Sequence, residues 1–111
     1  MTIEQLKSLG ADTDQGLARC GNNEAFYLRL VGMALEPETF NELENKIKEN
    51  KLAEAFEAAH ALKGVLSNLS LTPIYDPVYE ITELLRVRQE TDYSALLDKM
   101  KEQRQRFADL A

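Results

Sequence analysis

His60 is the only histidine in the 111-residue chain, and it stands in the segment Ala59-His60-Ala61-Leu62-Lys63-Gly64. A histidine side chain is substantially neutral at pH 7, so one ring nitrogen keeps a lone pair that can attack an electrophile. Lys63 would lie beside His60 on a helix, where its ammonium group could pair with a phosphoryl group. The segment therefore contains a candidate nucleophile with a candidate phosphate-binding cation next to it.

Helical periodicity indicates that His60 points away from the protein core. The surrounding apolar residues are spaced as in the seam of a helix in a left-handed bundle, and they are Leu52, Ala55, Ala59, Leu62, Leu66 and Leu69. At ~100° per residue, His60 falls ~130° from the centre of this seam, and Gly64 also faces outward. Because glycine inside a helix costs ~1 kcal/mol relative to alanine, we expect Gly64 to permit close approach to His60. Phe56 lies at the seam boundary, where its ring could pack against the imidazole.

The elements that would position this segment are predicted to be all-α. Apolar residues recur at helical spacing in several windows, and no segment shows the sustained alternation of a half-buried strand. We expect one domain spanning residues 1–111, with an N-terminal helical addition at about 1–36 and an up-and-down antiparallel four-helix bundle at about 37–110. The predicted helices begin near Ile3, at a cap on Asn22 or Asn23, at Pro37 or Thr39, near Lys51, and at a cap on Asp92.

The helix that follows the His60 segment has two possible starts. Thr72-Pro73 and Asp76-Pro77 both fit a capping residue followed by a proline at the first helical position. A start at Pro73 would place Pro77 one turn inside the helix, where it should bend it, whereas a start at Pro77 would leave a longer joint. The sequence leaves both open.

Composition narrows the classes of partner. Nineteen acidic and thirteen basic residues give a net charge of −6, which disfavours nucleic-acid binding. No stretch approaches the ~20 apolar residues of a membrane span, and Cys20 is the single cysteine, so we expect a soluble, cytoplasmic protein without an internal disulfide. One histidine and one cysteine do not make a metal-ligand set, and we expect no metal, no cofactor of its own, and a monomer.

The segment 59–64, followed by Leu69, resembles the AHxLKGxxxxL signature of histidine-containing phosphotransfer (HPt) domains. Segments 16–19 and 21–27 look like the N-terminal region of the same family. The resemblance implies a helical bundle that accepts a phosphoryl group from an aspartate of one receiver domain and passes it to another. The receivers would belong to hybrid histidine kinases and response regulators, and they would bring the Mg²⁺.

Carried over by position, the resemblance makes His60 the phosphoacceptor, Lys63 the residue that neutralises the phosphoryl charge, and Gly64 the opening for the receiver. The binding surface expected around them comprises Phe56, Glu57, Ser67 and Arg86. The chain shows no glycine-rich nucleotide loop, so no ATP-dependent kinase activity of its own is expected. These features favour a stand-alone phosphotransfer protein in a multistep phosphorelay.

Two features depart from the family pattern. Ser70 stands where a glycine is common after the histidine helix, and Pro73 and Pro77 lie where a continuous helix is usual. They motivate an alternative function, a helical adaptor that keeps the fold and binds receivers or other signalling proteins without transferring a phosphoryl group.

Overall fold

A computed structural model describes all residues, 1–111, and contains seven helices and no strand. The helices are α1 (Ile3–Ser8), α2 (Thr13–Arg19), α3 (Glu24–Ala34), α4 (Pro37–Lys48), α5 (Leu52–Asn68), α6 (Thr72–Arg86) and α7 (Ser94–Ala108). The all-α prediction is confirmed. None of these helices combines the length and the apolar character that crossing a membrane requires.

Helices α4 to α7 form the bundle. Three-residue joints separate α4 from α5 and α5 from α6, and each contains a residue with left-handed backbone, Asn50 and Ser70, both with φ +57°. Helix α7 closes the bundle against α4, where the guanidinium of Arg104 lies 5.9 Å from the Phe40 ring. One turn further along α4, Glu44 accepts a hydrogen bond of 2.6 Å from Lys101. Since residues later in α4 contact residues earlier in α7, these two helices run antiparallel.

The seam of α5 faces a single apolar core. Every predicted seam residue is buried except Leu52, which is half-buried. The core also receives the side chains of Tyr27 from α3 and Phe107 from α7, both fully buried. The regular 3–4 spacing on α5 therefore determines which face of this helix enters the core and which is left for solvent.

Two helix starts differ from the sequence predictions. Helix α6 begins at Thr72, with Leu71 as its N-cap, so the start beside Pro73 is the correct one and Thr72 is a helical residue rather than a cap. Pro77 then lies inside the helix and is buried. The cap predicted at Asp92 is wrong by one residue, because Tyr93 is the N-cap of α7.

Helix α2 was not expected as a separate element. Asp12 caps it by accepting a hydrogen bond of 3.2 Å from the backbone N–H of Gln15. Its buried residues are Thr13 and Gly16, which are polar or small. The helix therefore lacks the apolar stripe by which periodicity identifies a helix.

Helices α2 and α3 are fastened to the α5–α6 joint, which we define as residues 69–71. The Tyr27 hydroxyl donates to the carbonyl of Leu69 at 2.8 Å. Ser70 is bound twice, because its hydroxyl donates to the Gln15 side chain and its carbonyl accepts from the Asp12 N–H, each at 3.0 Å. A side chain in a left-handed conformation costs ~1 kcal/mol relative to glycine, and the hydroxyl bond offsets that cost at Ser70. The serine at position 70, one of the departures from the family pattern, is thus accounted for by contacts within the chain.

Candidate functional site

His60 lies at the middle of α5, and its side chain is exposed, as periodicity predicts. The buried residues Ala59 and Leu62 of the same turn hold this part of α5 against the core. The imidazole is therefore carried by a rigid helix while both of its faces and its edge are outside the core. A group held in this way is positioned for chemistry with a second molecule.

Phe56 supports the imidazole from one turn earlier on α5. The two rings are stacked with their centroids 5.8 Å apart and an interplanar angle of 26°. The expected packing of Phe56 on His60 is confirmed. The same phenyl ring also lies below two guanidinium groups, those of Arg86 at 5.2 Å and Arg88 at 5.1 Å.

Three basic side chains stand on the side of His60 that faces α6, and we call Lys63, Arg86 and Arg88 the cationic flank. The Lys63 ammonium lies 5.7 Å from the centroid of the Tyr79 ring. Arg86 forms an ion pair of 3.1 Å with Glu83, one turn earlier on α6. In a chain of net charge −6, two of these cations meet at Phe56, the ring that stacks on His60, and the third contacts Tyr79. Such a cluster favours an anionic group at His60.

Gly64 is exposed one turn after His60, and a Cβ added there would meet no atom of the chain within 4 Å. No packing contact inside the protein therefore requires a glycine at this position. The absence of a side chain leaves the helix backbone open beside the imidazole. Close approach of a partner at Gly64 stays a prediction.

On the side of His60 opposite the cationic flank, α3 and α5 enclose a mainly apolar groove of about 390 Å³. We call Leu30, Met33, Ala61 and Val65, which line it, the apolar flank. Met33 and Val65 are among the large apolar side chains left exposed, at 63% and 44%. This groove was not predicted from the sequence, although an apolar residue at an outward-facing helical position, such as Val65, indicates an exposed apolar surface.

The remaining predicted site residues are Glu57 and Ser67. Glu57 and Ser67 are exposed on α5, and neither side chain forms an ion pair or a hydrogen bond. The carbonyl of Ser67 accepts a hydrogen bond from Arg19 of α2. The structure thus places Phe56 against His60 and Arg86 against Phe56, and it leaves the side chains of Glu57 and Ser67 exposed on α5.

The site can supply a nucleophile and positive charge, and it contains no second group suited to bond cleavage. No group of three or more histidine, cysteine, aspartate or glutamate side chains is placed to hold a metal ion.

A protein-family model described as Hpt domain matches residues 34–110 of the chain. The matched region runs from the end of α3 through α7 and includes His60, Lys63, Gly64 and Arg86. No curated protein and no solved structure gives a significant match.

Proposed function

Because the chain belongs to the Hpt domain family, we propose that it relays a phosphoryl group between receiver-domain aspartates through His60. Histidine phosphotransfer in two-component signalling is the activity that membership implies, and Hpt domains carry it without kinase activity of their own. The proposal goes further in assigning the phosphoryl group to this residue and a stand-alone role to this chain. The observation that carries it is the exposed imidazole beside a glycine that no internal contact requires.

The transfer is a displacement at phosphorus. The unprotonated ring nitrogen of His60 attacks the aspartyl phosphate of a receiver, forming an N–P bond with its lone pair. The P–O bond to the aspartate breaks, and its electrons leave with the carboxylate. The other ring nitrogen retains its hydrogen, so the phosphorylated ring is cationic until that proton passes to solvent. Transfer onward is the reverse displacement, in which a carboxylate oxygen of a second receiver attacks.

Lys63 and Arg86 are proposed to balance the charge of the phosphoryl group. Phosphoryl transfer depends mostly on alignment and on stabilisation of charge on the phosphoryl oxygens. Lys63 follows His60 by three residues on the same helix, and Arg86 reaches the same site across the Phe56 ring. The Mg²⁺ and the remaining catalytic groups are proposed to reside on the receiver.

The apolar flank is proposed to be the surface on which the receiver docks. It borders α5 at Ala61 and Val65, which are the chain neighbours of His60 and Gly64. A receiver seated there would cover the exposed side chains of Met33 and Val65 while its aspartate reaches the imidazole over Gly64. Partners of this kind are the receivers of hybrid histidine kinases and response regulators, bound by a monomer in the cytoplasm.

The test is incubation of the purified chain with a phosphorylated receiver from the same organism. The wild type should gain a phosphoryl group that is labile to acid and stable to alkali, as expected for phosphohistidine and not for an acyl phosphate. His60→Gln should gain none, while Glu102→Gln, an exposed change on α7, should behave as wild type. Failure of the wild type with every receiver of that organism would contradict the proposal.

The adaptor alternative predicts a different outcome in the same experiment. A receiver would bind the wild type and His60→Ala equally well, and neither would gain a phosphoryl group. Ser70, one of the residues that motivated this alternative, is hydrogen-bonded to Gln15, and the receiver experiment decides between the two functions.

A further inference from the structure

We propose that Arg88 is a further phosphoryl-binding cation of this site, held toward His60 by the ring of Phe56. The inference rests on the proposed function, because it concerns the phosphorylated state of His60. Three contacts meet at one phenyl ring, the imidazole at 5.8 Å and the guanidinium carbons of Arg86 and Arg88 at 5.2 and 5.1 Å. Phe56 is thus a positioning residue that links the nucleophile to both cations.

The backbone at Arg88 is the first argument. Arg88 has a φ of +53° immediately after α6, at a turn where glycine is favoured. Its N–H and that of Gln89 donate to the carbonyls of Leu85 and Leu84, each at 2.9 Å. These carbonyls at the end of α6 therefore have hydrogen-bond partners. A side chain here costs ~1 kcal/mol relative to glycine. Glycine would make the same backbone hydrogen bonds, so the arginine has to be explained by the contacts of its side chain.

The charge of Arg88 is the second argument. Its Nη1 group donates to the Leu85 carbonyl at 2.7 Å, which fixes the guanidinium over the end of α6. Arg88 forms no ion pair with any carboxylate, whereas Arg86 is paired with Glu83. The positive charge of Arg88 is thus held against the ring that stacks on His60 without a counter-ion.

A phosphoryl group on His60 would supply that counter-ion. A guanidinium presents N–H groups in a fixed fork that matches phosphate oxygens. Lys63 of α5 stands over Tyr79 of α6, whereas Arg88 follows the end of α6, so the two cations would approach the phosphoryl group from different directions. Because the site is exposed, solvent screening limits the contribution of each cation to a few-fold in an equilibrium constant.

The experiment measures the equilibrium of phosphoryl exchange between the chain and a receiver that phosphorylates it. The equilibrium constant does not depend on how fast the two proteins dock, so it reports the stability of the phosphohistidine. Arg88→Gln should shift it about threefold toward the phosphorylated receiver, and the shift should shrink at high salt. Arg106→Gln, which removes the same charge from an exposed site on α7, should leave it unchanged. Arg88→Lys should recover part of the loss.

Phe56→Leu tests the positioning role. In that background the further change Arg88→Gln should have little effect on the equilibrium constant, because the ring that holds the guanidinium is gone. Independent effects of the two substitutions would contradict the role of Phe56. If Phe56→Leu does not fold, the measurements on Arg88→Gln, Arg88→Lys and Arg106→Gln test the proposal without it.

The proposed function and the proposed role of Arg88 are contradicted by different results. A wild-type chain that gains no phosphoryl group contradicts the proposed function. A wild-type chain that gains one, together with an Arg88→Gln variant that matches Arg106→Gln in the equilibrium and differs only in melting temperature, makes Arg88 a helix cap and overturns this inference alone.

Discussion

Two glycines inside helices, Gly16 of α2 and Gly64 of α5, lie in opposite surroundings. A Cβ at Gly16 would stand 2.6 to 2.8 Å from atoms of the Tyr27 ring, whereas a Cβ at Gly64 would meet nothing within 4 Å. Both positions carry the cost of glycine in a helix. At Gly16 the cost is explained by packing inside the chain, and at Gly64 it is not. Gly64 is thus the position at which the proposed contact with a receiver can be tested apart from packing within the chain.

The same contrast holds for the regions around the two glycines. The α5–α6 joint is hydrogen-bonded to Tyr27 of α3 and to Gln15 of α2, the residue before Gly16. The turn from His60 to Gly64 has no comparable contacts on its outer face, and it is bordered by a cationic flank and an apolar flank. One end of α5 is therefore stabilised by hydrogen bonds within its own chain, while the outer face of its middle turn is exposed.

The largest effect on stability is expected from Gly16→Ala. The new methyl group would displace the buried Tyr27 ring and disturb its hydrogen bond to Leu69, at a cost of about 2 to 3 kcal/mol. The measurement is the free energy of unfolding in urea. The matched control is Gly64→Ala, which should stabilise the chain by up to ~1 kcal/mol. Equal changes in the free energy of unfolding for Gly16→Ala and Gly64→Ala would contradict the difference in packing between the two glycines.

Gly64→Leu should separate stability from transfer. The leucine side chain would project into the open space beside His60, so the fold should be unaffected or slightly more stable. Phosphoryl transfer from a receiver should slow at least tenfold, roughly 1.4 kcal/mol, because the incoming loop is blocked. Transfer at the wild-type rate in a rapid-mixing experiment would show that close approach at Gly64 is not needed.

Tyr27→Phe should weaken the joint and change its response to alkali. Burial, with smaller contributions from Cys20 and Asp12, raises the pKa of Tyr27 from 10.0 to about 12. Below pH 10 the Tyr27 hydroxyl keeps its proton in both the folded and the unfolded chain. In that range, removal of the hydroxyl should lower the free energy of unfolding by about 1 kcal/mol. Between pH 10 and 12 the unfolded chain releases the proton first, so the wild type loses stability as pH rises. In urea titrations across this range, the Phe variant should show a shallower loss, and parallel curves would contradict the burial argument.

Lys63→Ala is expected to have the smallest effect. The side chain lies off the seam, so the fold should be retained, and removal of one exposed cation should make phosphorylation slower or the phosphohistidine less stable by a few-fold. Lys99→Ala on α7 is the matched control for loss of charge. An unfolded Lys63→Ala variant, seen by circular dichroism, would mean that this residue supports the fold instead.

Much of the site could be predicted from sequence because one regular pattern positions it. The seam of α5 fixes the outward direction of His60 and Gly64 and places Phe56 at its boundary, and the structure agrees on each. Local periodicity is enough here because these residues share one helix.

The features that were missed depend on contacts between elements or on unusual backbone. Periodicity within α5 does not show that α3 lies alongside it, so the groove between Met33 and Val65 was not foreseen. Arg88 reaches Phe56 through a left-handed turn, and arginine gives no sequence signal for that conformation. Of the two proline starts, the earlier is used because Leu71 and Ile74 are then fully buried.

The most direct test of the central claim is to locate the phosphoryl group after transfer. Phosphorus NMR of the chain, followed by peptide mapping under alkaline conditions, should find one phosphate per chain on an imidazole nitrogen of His60. A phosphate on any other residue, or none after exposure to a phosphorylated receiver that transfers to other Hpt domains, would contradict the account.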